Sequence, residues 1–307
     1  MNFSVLIEKM LIFTVLMVIG YVLARKGLVD CGFSRAASML VVDVFLPATI
    51  LNSVLVANFE MGAGELGRLM LLLCLTIWIG CVLGAVAGRL LPIGRDPDRG
   101  AVFELLVALS NTMFIGLPIA QEMFGPVAVF YCALSCIPFN VYLYSYGVWR
   151  LKGSTGSAFR LRDIFSMPLA ATLLSVLIFL LHLPIPGVLQ DLVSALNGAT
   201  MPMSLLVIGF SMGTVSLLDA FKNRSLYLIS VLRNLVIPVI TWFIMRFLTD
   251  DPILLTTCLL LAASPSPVMA TVLAIQYKRD SVYGAEGVLQ STVLSIVTIP
   301  LLLLLLG

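Results

Sequence analysis

The chain has 307 residues, of which 60% are hydrophobic and only 11% charged, with a net charge of +2 and a mean hydropathy of +1.10. Soluble domains carry roughly 25% charged residues, so this composition excludes a soluble globular domain and reads as a polytopic membrane protein. The near-neutral charge gives no basis for a nucleic-acid partner.

A helix that crosses a bilayer needs roughly 20 apolar residues. Windows of that kind predict ten spans, near 5–23, 36–57, 66–91, 101–123, 127–149, 164–182, 188–215, 225–247, 252–276 and 283–306. The first is expected to be retained rather than cleaved. Arg25 and Lys26 follow it instead of preceding it, and no small-x-small site stands before Arg25. The six cysteines form no CxxC or zinc spacing and are expected as small packing residues, with no metal and no cofactor.

The connections set the orientation. Fourteen of the 18 Lys and Arg residues fall in one alternate set of connections, from Arg25, Lys26 and Arg35 to Lys278 and Arg279. Lys9, Arg68 and Arg246 lie at the other ends, and Arg233 lies within a span. The positive-inside rule then puts both termini outside the cytoplasm of a multi-pass cell (inner) membrane protein. The longest connection, 150–163, holds the flexible stretch Gly153-Ser154-Thr155-Gly156-Ser157. It divides the chain into two five-span halves, 1–149 and 164–307. Five is odd, so the second half enters upside down, the layout of an inverted-repeat transporter. Proline echoes agree: Pro47 in span 2 with Pro202 in span 7, Pro138 in span 5 with Pro300 in span 10, and breaks in spans 4 and 9.

Those breaks carry the chemistry. In span 4, Asn111, Thr112, Gly116 and Pro118 predict an interruption between Asn111 and Pro118. In span 9, Ser264, Pro265, Ser266 and Pro267 predict another, with Ser266 as N-cap and Pro267 at the first helical position. Broken backbone survives in a membrane only where protein or a cavity satisfies it. Each break frees a half-helix N-terminus, worth about half a positive charge, whose N–H groups bind anions. That predicts a reversibly held carboxylate. Intramembrane charges are costly and default to functional candidates: Asp43, Glu104 and Arg233, as coupling or gating groups. Asp43 or Glu104 could pair with Arg233, and the sequence does not choose. Asn52 and Asn197 are candidates to face the site from spans 2 and 7.

These motifs resemble the auxin efflux carrier family, whose members include plant PIN-type carriers and bacterial organic-acid permeases. Asn111-Thr112 followed by Gly116-Leu117-Pro118 is similar to the family's Asn-Thr…Gly-Ile-Pro. Arg233 with Ile237-Pro238 resembles its Arg…Gly-Pro, and Ala263-Ser264-Pro265 with Gln276-Tyr277 resembles its Ala-Leu-Pro…Glu-Tyr. The resemblance implies an all-α, ten-helix fold with a 5+5 inverted repeat and crossed broken helices 4 and 9, as in sodium/proton antiporters. It implies a scaffold of spans 1, 2, 6 and 7, which forms a homodimer, and a transport part of spans 3–5 and 8–10. It places Asn111 against the substrate carboxylate and makes Pro118 and Pro265 the crossover prolines. The chain departs from the plant pattern at Pro267, at Asp43 and in its short central connection, so a small mono- or dicarboxylate is implied rather than an indole.

The expected function is therefore a secondary transporter of a small carboxylate anion, not an enzyme: there is no HExxH and no pair of aspartates in facing spans. Coupling to H+ or Na+ stays open. The alternatives within this fold are a sodium-coupled organic-anion symporter and a cation/proton antiporter. The partners expected are the substrate, membrane lipid and a second copy of the chain.

Overall fold

The computed structural model describes residues 3–56, 61–152 and 165–307. Most of the central connection, including Gly153–Ser157, Arg160 and Arg162, lies outside the described residues.

All regular structure among the described residues is helical. Span 1 is α1 (Phe3–Arg25). Span 2 is α2 (Cys31–Leu40) and α3 (Leu46–Val56), joined by a π-helical turn. Span 3 is α4 (Ala63–Leu90). Span 4 is α5 (Gly100–Ala108) and α6 (Leu117–Phe124). Span 5 is α7 (Pro126–Tyr142) and α8 (Val148–Lys152). Span 6 is α9 (Met167–Leu181) and span 7 is α10 (Gly187–Gly213). A short α11 (Leu217–Lys222) precedes span 8, which is α12 (Arg224–Val231) and α13 (Ile237–Arg246). Span 9 is α14 (Pro252–Ala263) and α15 (Val268–Gln276), and span 10 is α16 (Ser281–Leu306).

Eight of these segments are long and apolar enough to cross a membrane, and the α14–α15 pair, bent by 43°, makes a ninth. The apolar α9, with 15 residues, is shorter than the others. Span 5 runs to Lys152, past its expected end. Tertiary contacts extend it: Leu151 is fully buried, Arg150 pairs with Glu104, and the Leu151 carbonyl accepts from Arg279.

The prolines explain much of the helix irregularity. A helical proline lacks its N–H and clashes with the carbonyl four residues back. A wider π turn relieves both faults. Such turns at Val41–Phe45, Thr112–Gly116 and Leu232–Val236 each end two residues before a proline: Pro47, Pro118 and Pro238. Pro202 and Pro300 instead sit inside continuous helices.

Without a hydrophobic drive between helices in lipid, close approach needs small residues. Spans 1 and 7 cross at Gly20 and Gly209, where a Cβ on either would overlap backbone of the other helix. Span 3 presents Gly80, Gly84 and Gly88, one every four residues, to α5. A Cβ on Gly84 would lie 2.7 Å from the Ala108 Cβ. This row lets α5 sink until all nine of its residues are buried.

Polar contacts sort the connections to two ends. At one end Arg99 pairs with Asp280 at 2.7 Å, Arg279 binds the Leu151 carbonyl, and Arg25 binds the Val215 carbonyl. At the other, Lys9 pairs with Glu122 and Arg68 binds the Leu248 carbonyl.

Candidate functional site

Spans 4 and 9 come apart at neighbouring points. Span 4 opens at Leu109–Asn111, where Leu109 is extended (φ −108°, ψ 154°). It re-forms as a π turn from Thr112 that runs without interruption into α6. The break thus ends at Asn111 instead of starting there, and Pro118 lies within a continuous helix. The π turn moves the irregularity of Pro118 ahead of it. Span 9 opens at Ser264–Pro267, as expected from its sequence. Pro267 is the N-cap of α15 (φ −81°, ψ 139°) rather than its first helical residue. The Ser266 hydroxyl does not cap α15 but donates to the Leu106 carbonyl at 2.7 Å. The Ser266 N–H donates to the Ser291 hydroxyl at 3.2 Å.

The two unwound segments touch. The Asn111 N–H donates to the Pro265 carbonyl at 2.7 Å. A Cβ on Gly116 would lie 3.1 Å from the Ser264 hydroxyl, so only glycine lets the segments meet without displacement. Ser110 and Thr112 share a hydroxyl hydrogen bond of 3.0 Å beside this contact.

Arg233 deals with the C-terminal ends of the other two half-helices, α5 and α14. A helix leaves its last carbonyls without intrahelical partners. The fully enclosed Arg233 guanidinium donates to Leu261, Ala262 and Ser264 of span 9, the closest at 2.7 Å, and to Val107 and Ala108 of span 4 at 3.4 Å each. It pairs with neither Asp43 nor Glu104. Glu104, itself buried, accepts from Arg150 at 2.9 Å and from the Tyr146 hydroxyl at 2.7 Å. Asp43 lies exposed on the span 2 π turn with no partner among the described residues.

The charge balance follows. Each helix end carries about half an elementary charge. The two C-termini sum to about −1, and Arg233 cancels them. The two N-termini, at Thr112 and Val268, sum to about +1 at the crossing.

Next to the crossing lies a cavity of about 100 Å³. Asn111 and the start of α15 (Val268, Thr271) form one wall; span 7 (Ile208, Ser211, Met212) and span 10 (Val288, Leu289, Thr292) form the others. It reaches Thr214 and Val215, near the end where Arg25 sits. Asn111 is only 5% exposed, yet its Nδ2 has no partner; the enclosed Thr271 hydroxyl also has none. Among the described residues ten buried side-chain polar atoms lack a partner, and of their residues only Asn111 and Thr271 line this cavity. A second, apolar cavity of about 20 Å³ lies further along spans 4, 7 and 10, at Ile115, Ile119, Leu205 and Ile299.

Of the residues singled out from sequence, Asn111 alone lines the larger cavity. Thr112, Gly116, Ser264, Pro265, Ser266 and Pro267 build the crossing. Asn52 and Asn197 do not line the cavity; the Asn197 Oδ1 is buried without a partner elsewhere in span 7. Sequence reasoning missed Thr271, Ser211 and Thr292. The signal for Thr271 was its place in the first turn after the span 9 break. Ser211 and Thr292 lie in unbroken helices that carry no such mark.

A family model described as membrane transport protein matches residues 5–158 and 154–303. An uncharacterized transporter of Methanothermobacter thermautotrophicus is 28% identical over 302 residues, covering 96% of both chains. An uncharacterized transporter of Methanocaldococcus jannaschii is 23% identical over 302 residues, again covering 96% of both.

Proposed function

The chain belongs to the membrane transport protein family, the one that holds the auxin efflux carriers whose motifs it resembles, and from that premise we propose that it is a secondary carrier of a small carboxylate anion. The observation that carries this reading is the Asn111 Nδ2. It is an enclosed donor without a partner, beside a cavity and between two helix N-termini, with no acidic residue among the cavity's lining residues.

In this reading the chain is two inverted five-span repeats, 1–149 and 164–307, in the inner membrane with both termini outside the cytoplasm. Spans 3–5 and 8–10 move as a unit against a dimeric scaffold of spans 1, 2, 6 and 7. The cavity opens at the cytoplasmic end. The Lys9–Glu122 pair, 2.7 Å long, joins span 1 to span 4 at the outer end and holds that side shut. Alternating access exchanges which end is closed. A monoanion leaving a cell with a negative interior gains about 2.3 kcal/mol per 100 mV, so export needs no coupling ion, whereas concentrative uptake needs H+ or Na+. A cation/proton antiporter is disfavoured because it needs a carboxylate where this cavity has none.

The test is flux. Proteoliposomes carrying the chain take up a radiolabelled short carboxylate, and those carrying Asn111→Ala do not, although that variant inserts and unfolds like the parent. Flux by Asn111→Ala equal to the parent's would refute the site, and sodium dependence of the flux identifies the coupling.

A further inference from the structure

We infer that the outer face of spans 3 and 5, at the end of the molecule where Arg99 pairs with Asp280, binds an anionic phospholipid. The lipid phosphate sits at Arg89, and one of its chains lies along a row of aromatic rings. The inference does not depend on what the carrier moves.

The rings form a ladder. Trp78 of span 3 meets Tyr142 of span 5 with ring centroids 6.2 Å apart. Tyr142 then meets Tyr146 at 5.3 Å, and Tyr146 meets Trp149 at 5.5 Å. Along span 3, Trp78, Val82, Val86 and Leu90 recur every fourth residue, so they lie on one side of the helix, and all four are exposed. The helix between Trp78 and Arg89 rises about 16 Å. That is about half of a hydrocarbon core roughly 30 Å thick, so the ladder and the stripe run the depth of one leaflet. Aromatic belts gather at the membrane interface. A belt accounts for Trp149 beside Arg150, but not for an exposed Trp78 so much deeper.

Charge selects the headgroup. Arg89 stands in the last turn of span 3, exposed and with no ion pair among the described residues. Tyr146, on the ladder, lies within electrostatic reach of both Arg89 and Arg150. Arg150 is matched by Glu104 at 2.9 Å, and the Tyr146 hydroxyl donates to the other Glu104 oxygen at 2.7 Å. Glu104 is also pressed against span 3, where a Cβ on Gly88 would lie 3.1 Å from its carboxylate. Both its oxygens are therefore engaged, and Arg89 keeps its charge at the level of the headgroups. A guanidinium takes phosphate oxygens well. A choline headgroup would bring a second cation beside it, so a lipid with net negative charge is preferred. The charge adjoins the exposed Leu90 and Val86, apolar surface that an amphiphile covers and a soluble phosphate does not.

The experiment uses tryptophan quenching. The chain holds three tryptophans, and Trp242→Phe leaves only Trp78 and Trp149, both on the ladder. This full-length protein in phosphatidylcholine bilayers is titrated with dibrominated phosphatidylglycerol, a quencher. Quenching is expected to saturate, with a preference for the anionic lipid of at least about fivefold. Arg89→Gln is expected to lower that preference about fivefold, the effect of one basic side chain near the surface. Lys222→Gln removes the same charge from the same end on another element and is expected to leave it unchanged. Millimolar glycerol 3-phosphate is expected not to relieve the quenching. Equal quenching by dibrominated phosphatidylcholine overturns the inference. So does an equal loss in Lys222→Gln, which would mean general surface attraction, and so does relief by glycerol 3-phosphate, which would mean a soluble anion. If Trp242→Phe folds poorly, native mass spectrometry compares phosphatidylglycerol retained by the parent and by Arg89→Gln. Less retention by the variant is expected, and equal retention overturns the inference.

Discussion

Asn111 and Pro265, 154 positions apart in sequence, are joined by one backbone hydrogen bond of 2.7 Å. That bond ties the unwound segment of span 4 to that of span 9. On one side of it two helix C-termini meet Arg233; on the other, two N-termini meet a cavity. The helix ends are thus sorted by sign around one contact, with the negative pair neutralised and the positive pair facing the cavity.

Arg233 is therefore expected to matter for folding more than for recognition. Arg233→Met removes the donor shared by five enclosed carbonyls, and a buried polar group left unsatisfied costs about 1–3 kcal/mol. Arg233→Lys is expected to rescue little, because a compact ammonium cannot span carbonyls on two helices as the guanidinium fork does. Thermal unfolding in detergent should show a large drop for both variants, and a stability like the parent's would contradict the role.

Glu104 is expected to be structural and not a proton-coupling group. Its two oxygens are occupied by Arg150 and Tyr146, within spans 4 and 5. Glu104→Gln should lower stability by about 1.5–3 kcal/mol, the range for hydrogen bonds to charged groups, while the pH profile of transport keeps its shape. A profile flattened by Glu104→Gln, with folding intact, would reassign it to coupling.

The Lys9–Glu122 pair is part-exposed, and such pairs contribute about 0.2–1 kcal/mol. Breaking it with Glu122→Gln should shift the access equilibrium outward by up to about fivefold. A cysteine placed at Ile119, beside the small outer cavity, reports this as faster labelling from outside. The charge swap Lys9→Glu with Glu122→Lys should restore the slow rate. Equal labelling in all three proteins would remove the pair as an outer closure.

Gly116 faces the Ser264 hydroxyl closely enough that an added Cβ sits at 3.1 Å. Gly116→Ala should be tolerated with a small loss of stability, because the neighbour needs to yield only a few tenths of an ångström. Gly116→Val is expected to force the two segments apart, cost about 1–3 kcal/mol as overpacking does, and abolish substrate binding. Binding retained by Gly116→Val would show that the crossing tolerates separation.

Much of this was legible in the sequence, and the reasons are local. Apolar runs are long and uniform enough to place the helices within a few residues, although α9 is shorter than a full span. Pro265 and Pro267 in adjacent alternate positions admit no helix, so the span 9 break stood where expected. Pro118 misled because a π turn can absorb a proline; the span 4 break fell at Leu109–Asn111 instead. Arg233's partners are carbonyls, which every residue has, so no pattern of side chains could have announced them. The pairing of Glu104 with Arg150 depends on how spans 4 and 5 pack, information that no periodicity contains. Thr271, Ser211 and Thr292 look like ordinary small polar residues of membrane helices until a cavity brings them together.

The most direct measurement is equilibrium binding of a short carboxylate to the parent, Asn111→Ala and Asn111→Asp, each verified as folded by its unfolding temperature. The account predicts saturable binding by the parent, at least tenfold weaker binding by Asn111→Ala, and none detectable by Asn111→Asp, whose added carboxylate repels the ligand's own. Binding by Asn111→Asp as tight as the parent's would contradict it.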